Sequence, residues 1–519
     1  MSAASVFLGA IPDGLRRHGG IAGDALAAAA GALLVLAFAP YAAYPLAILC
    51  IAVLFRLLDG VSVRRAAWRG FLFGAAEFAC GIHWLYISVH EVSGAPIWLT
   101  LLLLAALVAV MAVYSALACA LGIWLAPRAG AARWLLALPA CWTLLEWLRG
   151  WFLTGFPWLS LGYSQIGSPL RGYAPVFGVF GISLAVALSA GLLASASARH
   201  TRLRARCASL AVLAAVWSAG GLLAAVHWTH PAGAPVQVSL VQGNIPQSVK
   251  WDPQTFAPTL DLYRKLTAEH WSSRLIIWPE SAIPAYQDEV QQDYLDPLEK
   301  AARAHGTDLL IGVPIHDWKT DAYYNSVISL GGHDGVYDKY HLVPLAEYFP
   351  VPQWVRNWLE LMNLPYSDFS RGAARQPLLQ VAGYPAGVSI CYEDAFGNEI
   401  IRALPQAAFL VNVSDDGWFG DSIALPQHLE IARMRALEAG RYLLRATNTG
   451  ITAIIDAAGH VVRTLPKDTR GVLTGTFTPY AGSTPYRWLG NFPVVSISIG
   501  MLLVMRLWTG LRRRMGFAK

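Results

Sequence analysis

"AGVSICYED" (residues 386–394) is a short run rich in apolar and β-branched residues that stops at one cysteine, followed by an aromatic residue and two acids. Its length and its Val and Ile content read as a strand, which puts Cys391, Tyr392 and Glu393 just past a strand end. In sheets covered on both faces, polar groups past strand ends tend to line the site. Cys391 is thereby singled out, with two readings open: a nucleophilic thiol, or a small buried core residue.

The surrounding stretch, residues 235–480, repeats the pattern. "VQVSLVQGN" (236–244), "RLIIWPES" (274–281), "DLLIGVPI" (308–315), "YYNSVISL" (323–330), "AAFLVNVSDD" (407–416) and "ITAIIDAAG" (451–459) read as strands, and residues 254–271, 287–305 and 425–440 as helices. Apolar strands alternating with helices predict an α/β domain whose central strands are buried on both sides. Two more strands end at chemistry: "LIIWPES" at Glu280, and "GVYDKYHLVPLAEYFP" at Lys339, where strand gives way to loop. A cation lowers a thiol pKa and a carboxylate accepts its proton, so Glu280, Lys339 and Cys391 form a coherent nucleophilic set. Lys339 is suited to an oxyanion. Residue types alone also allow a structural Lys339–Glu280 ion pair beside a core cysteine.

The rest of the chain is different in kind. Over 519 residues, 55% are apolar and 14% charged, with a mean hydropathy of +0.43, and the apolar excess lies before residue 230. A helix crosses a bilayer with about 20 apolar residues. Seven stretches qualify, at about 22–39, 43–58, 70–89, 96–126, 132–148, 174–197 and 206–228, and an eighth follows at about 491–509. Residues 1–230 thus read as a membrane domain with seven transmembrane helices, 231–485 as an exported α/β domain, and 486–519 as an eighth helix with a basic tail. The formal charge of +6 sits largely in clusters between the apolar stretches: Arg16 and Arg17; Arg64, Arg65 and Arg69; Arg128 and Arg133; Arg199 to Arg206; Arg512 to Lys519. Such clusters mark cytoplasmic loops and need no nucleic acid. Both termini are then cytoplasmic and the α/β domain lies on the outer side, the periplasm in a bacterium. No cleavable signal peptide is read at the start. The other five cysteines, Cys50, Cys80, Cys119, Cys141 and Cys207, lie in or beside spans. Cys391 therefore has no disulfide partner in an oxidising compartment, which suits a thiol that is buried or used.

"VQGNIPQSVKWDP" (241–253), "WPESAIP" (278–284), "KYHLVPLAEYFP" (339–350), "ICYEDAF" (391–397), "NVSDDGWFG" (412–420) and "RATNTGITAIID" (445–456), with the flanking spans, resemble the apolipoprotein N-acyltransferase family of the nitrilase superfamily. The resemblance covers essentially the whole chain. It implies an α-β-β-α sandwich, with Cys391 as nucleophile, Glu280 as general base and Lys339 as transition-state stabiliser. It also implies supporting roles for Glu347, Tyr392, Glu393, Trp251 and Trp418. Where the family pattern has Gly before the second glutamate, this chain has Ala346, a small change that leaves Glu347 in register. The implied reaction takes the sn-1 acyl chain of a phospholipid, phosphatidylethanolamine being the expected donor. It passes through a thioester to the α-amine of a diacylglyceryl-cysteine at an apolipoprotein N-terminus. No cofactor and no metal are implied.

Some features stand apart from that set. Trp354, Trp358 and Leu361 in "EYFPVPQWVRNWLELMNLPYSDF" (347–369), spaced i, i+4, i+7, fit a core-facing helix on a soluble domain. Beside a membrane and after the Lys339 segment they favour a mobile interfacial arm that covers or admits acyl chains. Glu146 and Arg149, spaced i, i+3, are expected to pair, whereas His83 is expected at the interface and Glu77 within a span. In "PQHLEIARMRALEAGRYLLRATN" (426–448), Arg433, Arg441 and Arg445 are expected on a solvated or ion-paired helix, one of them a candidate to buttress Glu280 or Glu347. A membrane-anchored amidase or hydrolase shares the acyl-enzyme and stays open as a rival. A transporter with an exported binding domain is disfavoured by the few intramembrane charges.

Overall fold

In the computed structural model the described residues are 20–128, 130–198, 201–344, 346–348 and 369–514. Most of the expected arm, 349–368, lies outside them. They divide into two compact units, one made of the residues through Val226, Ser422–Glu430 and those from Trp488 on, the other of His227–Asp421 and Ile431–Arg487.

The first unit is helical: α1 Ile21–Leu34, α2 Pro45–Leu57, α3 Val63–Gly81, α4 Ile97–Leu125, α5 Leu138–Arg149, α6 Ala174–Ala196 and α7 Leu203–Ala224, with a further helix, Phe492–Arg514, near the C-terminus. Among the described residues three helices are long and apolar enough to cross a membrane: α4, α7 and Pro169–Ala196, which contains α6. Three more apolar helices are shorter, at Ile21–Ala37, Pro45–Leu57 and Phe492–Leu507. The third expected span begins earlier than its apolar content suggests, because Ser62 caps α3 by accepting from Arg65 N at 3.3 Å. Arg69, expected in a loop, is instead fully buried on α3 and bonded to Asp24 at 3.2 Å.

The anticipated Glu146–Arg149 pair is not formed directly. Glu146 accepts from Leu161 N at 2.9 Å, Ser183 Oγ at 2.6 Å and Trp142 Nε1 at 3.0 Å. Arg149 donates to the carbonyls of Phe156 and Trp158, both at 2.6 Å. Each charge satisfies irregular backbone that hydrocarbon could not. Glu77 is buried, and exposed His83 bonds the Cys80 carbonyl at 2.8 Å. The 422–430 segment joins this unit through Gln427, whose side chain accepts from Trp158 Nε1 at 2.7 Å and Trp84 Nε1 at 3.3 Å.

The second unit holds two six-stranded sheets. One has the order β13-β2-β3-β4-β5-β6, with β2 Val236–Gln242, β3 Leu275–Ile277, β4 Asp308–Asp317, β5 Ala322–Leu330, β6 Gly335–Asp338 and β13 Gly471–Phe477. The other has the order β12-β11-β10-β9-β8-β7, with β7 Leu379–Val381, β8 Tyr384–Ile390, β9 Phe409–Ser414, β10 Leu443–Thr447, β11 Thr452–Ile455 and β12 Val461–Leu465. β1 Thr229–Pro231 and β14 Tyr480–Gly482 form a separate pair. Leu275 and Ile277 face a core shared with Ile390, Val411 and Leu444 of the other sheet. Ile276, between them, faces a second core with Tyr263 of helix Pro253–Ala268 and Leu298 of helix Asp296–His305. Burial on both faces is why these strands read as unbroken apolar runs.

One expectation fails here. The helix after residue 424 ends at Ala439, and Gly440 turns the chain with φ +60° into β10. Arg441 and Arg445 are therefore fully buried and not on a solvated helix face.

Candidate active site

β3, flanked by the parallel strands β2 and β4, delivers Glu280. The next residue, Ser281, takes φ +46° and so turns the chain sharply away. The turn passes close to β4: a Cβ on Gly312 would lie 2.2 Å from the Pro279 carbonyl oxygen, so only glycine fits there. β5 and β6 deliver the next groups. Lys339 N donates to the Asn325 carbonyl at 2.8 Å, and its side chain points into the site, 1% exposed. Lys339 Nζ lies 2.7 Å from Glu347 Oε1 and 3.4 Å from Glu280 Oε1. Asn325 Nδ2 bridges the same two carboxylates, at 2.7 Å to Glu280 and 3.1 Å to Glu347. The remaining oxygens are satisfied by backbone, Glu280 Oε2 by Asp415 N and Glu347 Oε2 by Val343 N, both at 2.8 Å.

The opposing sheet supplies the thiol. β8 ends at Ile390, and Cys391 takes φ +52° at the start of a short turn, Cys391–Ala395. A non-glycine residue in this region is strained and is held there by its surroundings. The holding group is Glu393. Its carboxylate accepts from Ile390 N at 2.7 Å, Tyr340 N at 2.7 Å, His341 N at 3.0 Å and the Tyr337 hydroxyl at 3.0 Å. One buried side chain thus ties the cysteine turn to the loop that follows Lys339. Asn412 Nδ2 adds a bond to the Cys391 carbonyl at 3.2 Å.

Electrostatics departs from expectation in one respect. Burial, then the Glu280 charge, push the Cys391 thiol well above its ordinary value, and Lys339 only partly opposes them. The resting group is a thiol, so a base must take its proton. For Lys339, burial pulls downward, but the charges of Glu347, Glu280 and Cys391 outweigh it and raise the ammonium pKa. Lys339 keeps its charge. Glu393 is pushed up to about 7 by burial, against the pull of the His341 and Ile390 amides and the Lys339 charge.

The structure thus brings Glu280, Lys339 and Glu347 together, with Cys391 in electrostatic reach of the first two. Glu393 is a brace beneath them. Tyr392 packs edge-on against Phe396 at 5.1 Å and His341 at 5.9 Å. Trp251 and Trp418 are 53% and 39% exposed. Asn325, Lys250 and Asp415 were not anticipated as site residues, whereas Arg445 was one of three arginines considered as a support for Glu280 or Glu347. Lys250 and Asp415 stand inside motif blocks already singled out. Asn325 is a polar residue at a buried strand position, the one signal that could have marked it. Arg445 donates to Asp416 at 2.9 Å and to Asp394 at 3.4 Å, and also bonds Asn412. It ties the cysteine turn to the Trp418 turn. Among the described residues no cluster of His, Cys, Asp or Glu is arranged to hold a metal ion.

Comparison with known proteins bears on the whole chain. The model of the apolipoprotein N-acyltransferase N-terminal domain matches residues 30–192, and that of carbon-nitrogen hydrolases matches residues 237–486. An apolipoprotein N-acyltransferase of Methylococcus capsulatus is 47% identical over 481 residues, covering 92% of this chain and 94% of that protein. Those of Nitrosomonas europaea and Azotobacter vinelandii are 45% and 43% identical, over 92% and 95% of this chain and 95% of each relative. With identity of 43–47% over 92–95% of its length, this chain belongs to the apolipoprotein N-acyltransferase family.

Proposed function

We propose that this chain carries out its family's reaction with Cys391 as nucleophile, Glu280 as proton carrier and Lys339 as oxyanion partner. Glu280 takes the Sγ proton as sulfur attacks the ester carbonyl of a phospholipid sn-1 chain, forming the C–S bond. Lys339 faces the oxygen on which negative charge develops. The C–O bond then breaks, Glu280 returns the proton to the leaving oxygen, and a lysophospholipid departs. The α-amine of a diacylglyceryl-cysteine at an apolipoprotein N-terminus attacks the thioester. Its proton passes through Glu280 to Cys391, and the amide product leaves.

Glu347 holds Lys339 charged and aimed, Glu393 braces the strained turn, and Tyr392, Trp251 and Trp418 offer surface to the lipids. Phosphatidylethanolamine serves as donor. The chain crosses the bacterial inner membrane eight times with both termini cytoplasmic. Residues 1–230 and 486–519 form the membrane part, and 231–485 the periplasmic catalytic domain. An outer compartment without acyl-CoA or ATP fits a donor that is already an activated ester in the bilayer.

The observation that carries this reading is the position of Lys339 Nζ, within 3.4 Å of Glu280 and 2.7 Å of Glu347, with the Cys391 thiol coupled to it. The test incubates the full chain, in phospholipid micelles, with a donor labelled in its sn-1 chain and a diacylated lipopeptide. Label arriving on the lipopeptide amine, with parallel-line initial-rate kinetics, is the expected result. Label leaving only as free fatty acid contradicts the transferase reading and supports a hydrolase.

A further inference from the structure

Lys250 is a second buried lysine at this site, 3% exposed although its neighbour Trp251 is half in solvent. Its ammonium donates to the main-chain carbonyl of Glu280 at 3.3 Å and forms an ion pair with Asp415. Asp415 in turn donates its own N–H to Glu280 Oε2 at 2.8 Å. The three residues close a ring: lysine to the backbone of the base, lysine to aspartate, aspartate backbone to the carboxylate of the base. Asp415 is held in place by Gly417 N at 3.1 Å and Asn448 Nδ2 at 3.2 Å, and Asn448 exchanges bonds with Ile245 N and O at 3.0 and 2.8 Å. The ring therefore anchors the 245–251 segment, the end of β3 and the end of β9 to one another.

A buried ion pair is weak evidence for stability, since apolar side chains of similar volume often serve as well. Its position argues for another role. A carboxylate that must receive a proton in one half-reaction and return it needs a fixed direction and a fixed charge balance. We propose that Lys250 is a positioning residue for acylation, locking the strand end that carries Glu280 and balancing the Asp415 charge beside it. This rests on the reading of Glu280 as the base of Cys391. The charged and titratable groups around Glu280 are Lys339 after β6, Glu347 in the following loop, Cys391 after β8, Asp415 after β9 and Lys250 itself. Tyr263 of helix Pro253–Ala268 faces Asp415.

The experiment measures single-turnover thioester formation on Cys391 from sn-1-labelled phosphatidylethanolamine, across pH 5 to 9, in three full-length proteins. In the parent chain, label on Cys391 tests the proposed function; its absence there ends that reading and this one with it. Lys250→Met leaves Asp415 unbalanced beside the base. It is expected to slow the plateau rate by about 100-fold and to move the acid limb to higher pH. Lys250→Met/Asp415→Asn removes both charges. It should stay slow, because the ring is still open, while its acid limb returns toward that of the parent. The double variant leaves neither member of the Lys250–Asp415 pair charged alone, so if the single variant does not fold, a parent-like rate in the double variant overturns the proposal. A parent-like rate and acid limb in either variant that folds overturns the proposal. So does a slow Lys250→Met whose acid limb coincides with that of the parent, because structural support alone gives that result.

Discussion

Cys391 is a thiol at rest because burial and the Glu280 charge outweigh Lys339. The sequence leads one to expect the opposite balance, since a lysine near a cysteine ordinarily lowers its pKa. The difference is burial and company: the thiol is buried beside the Glu280 charge, and Lys339 is shared with two carboxylates, 2.7 and 3.4 Å away. The sign has a consequence. A raised thiol pKa means little thiolate at neutral pH, so iodoacetamide should alkylate Cys391 at pH 7.5 more slowly than a free exposed cysteine by about 10-fold or more. The rate should keep rising beyond pH 9. Fast alkylation at pH 7.5 that no longer changes with pH would show a thiolate already formed, and would remove the need for Glu280. At this scale Glu280, Lys339 and Cys391 could be singled out in sequence because each stands where an apolar run stops, and the structure brings Lys339 within 3.4 Å of Glu280. Asn325 could not be singled out, because nothing in "YYNSVISL" tells which alternate residue faces the carboxylates.

Glu393 shows how elements hold the residues. Four donors converge on it from the end of β8, the end of β6 and the loop between Lys339 and Glu347. They favour the ionised form, yet burial disfavours it more, and the carboxyl is raised from 4.5 to about 7. Below pH 4.5 it is protonated in both folded and unfolded chains. As pH rises from 4.5 to 7 the unfolded chain ionises first, so the stability contributed by this group falls, by about 3 kcal/mol, and is level above 7. Glu393→Gln cannot titrate and presents an N–H₂ group to N–H donors. The stability of the parent minus that of the variant, measured by urea unfolding, should therefore decline between pH 4.5 and 7. A difference that grows over that interval would contradict the burial argument. Strands were legible wherever both faces are apolar. β10 was not, because Arg445 within "YLLRATN" looks solvated in one dimension. Only folding places Asp394 and Asp416 beside it, and a charge inside a sheet is tolerable only with such partners.

At the scale of the molecule the chain joins apolar helices to a two-sheet sandwich, and the composition shifts near residue 230 and again near residue 486. What composition could not give is the Ser422–Glu430 segment, which belongs by contact to the helical unit although it lies in the midst of the α/β sequence. Gln427 explains it: one amide meets two tryptophans, Trp84 and Trp158, distant in sequence. The proposed orientation makes its own prediction. With a membrane-impermeant maleimide added to spheroplasts, His230→Cys should be labelled from outside and Arg202→Cys should not, each in a background lacking Cys80 and Cys207. The reverse pattern would put the α/β domain in the cytosol. The central claim is the covalent one: sulfur accepts the acyl chain before any amine does. Its most direct measurement is mass spectrometry of the intact protein after incubation with sn-1-labelled phospholipid and no acceptor. The account predicts a gain of one acyl group, mapped to Cys391, released by hydroxylamine and absent from Cys391→Ala. A folded, lipid-bound protein whose Cys391 remains unmodified, or whose acyl group maps to another residue, would contradict it.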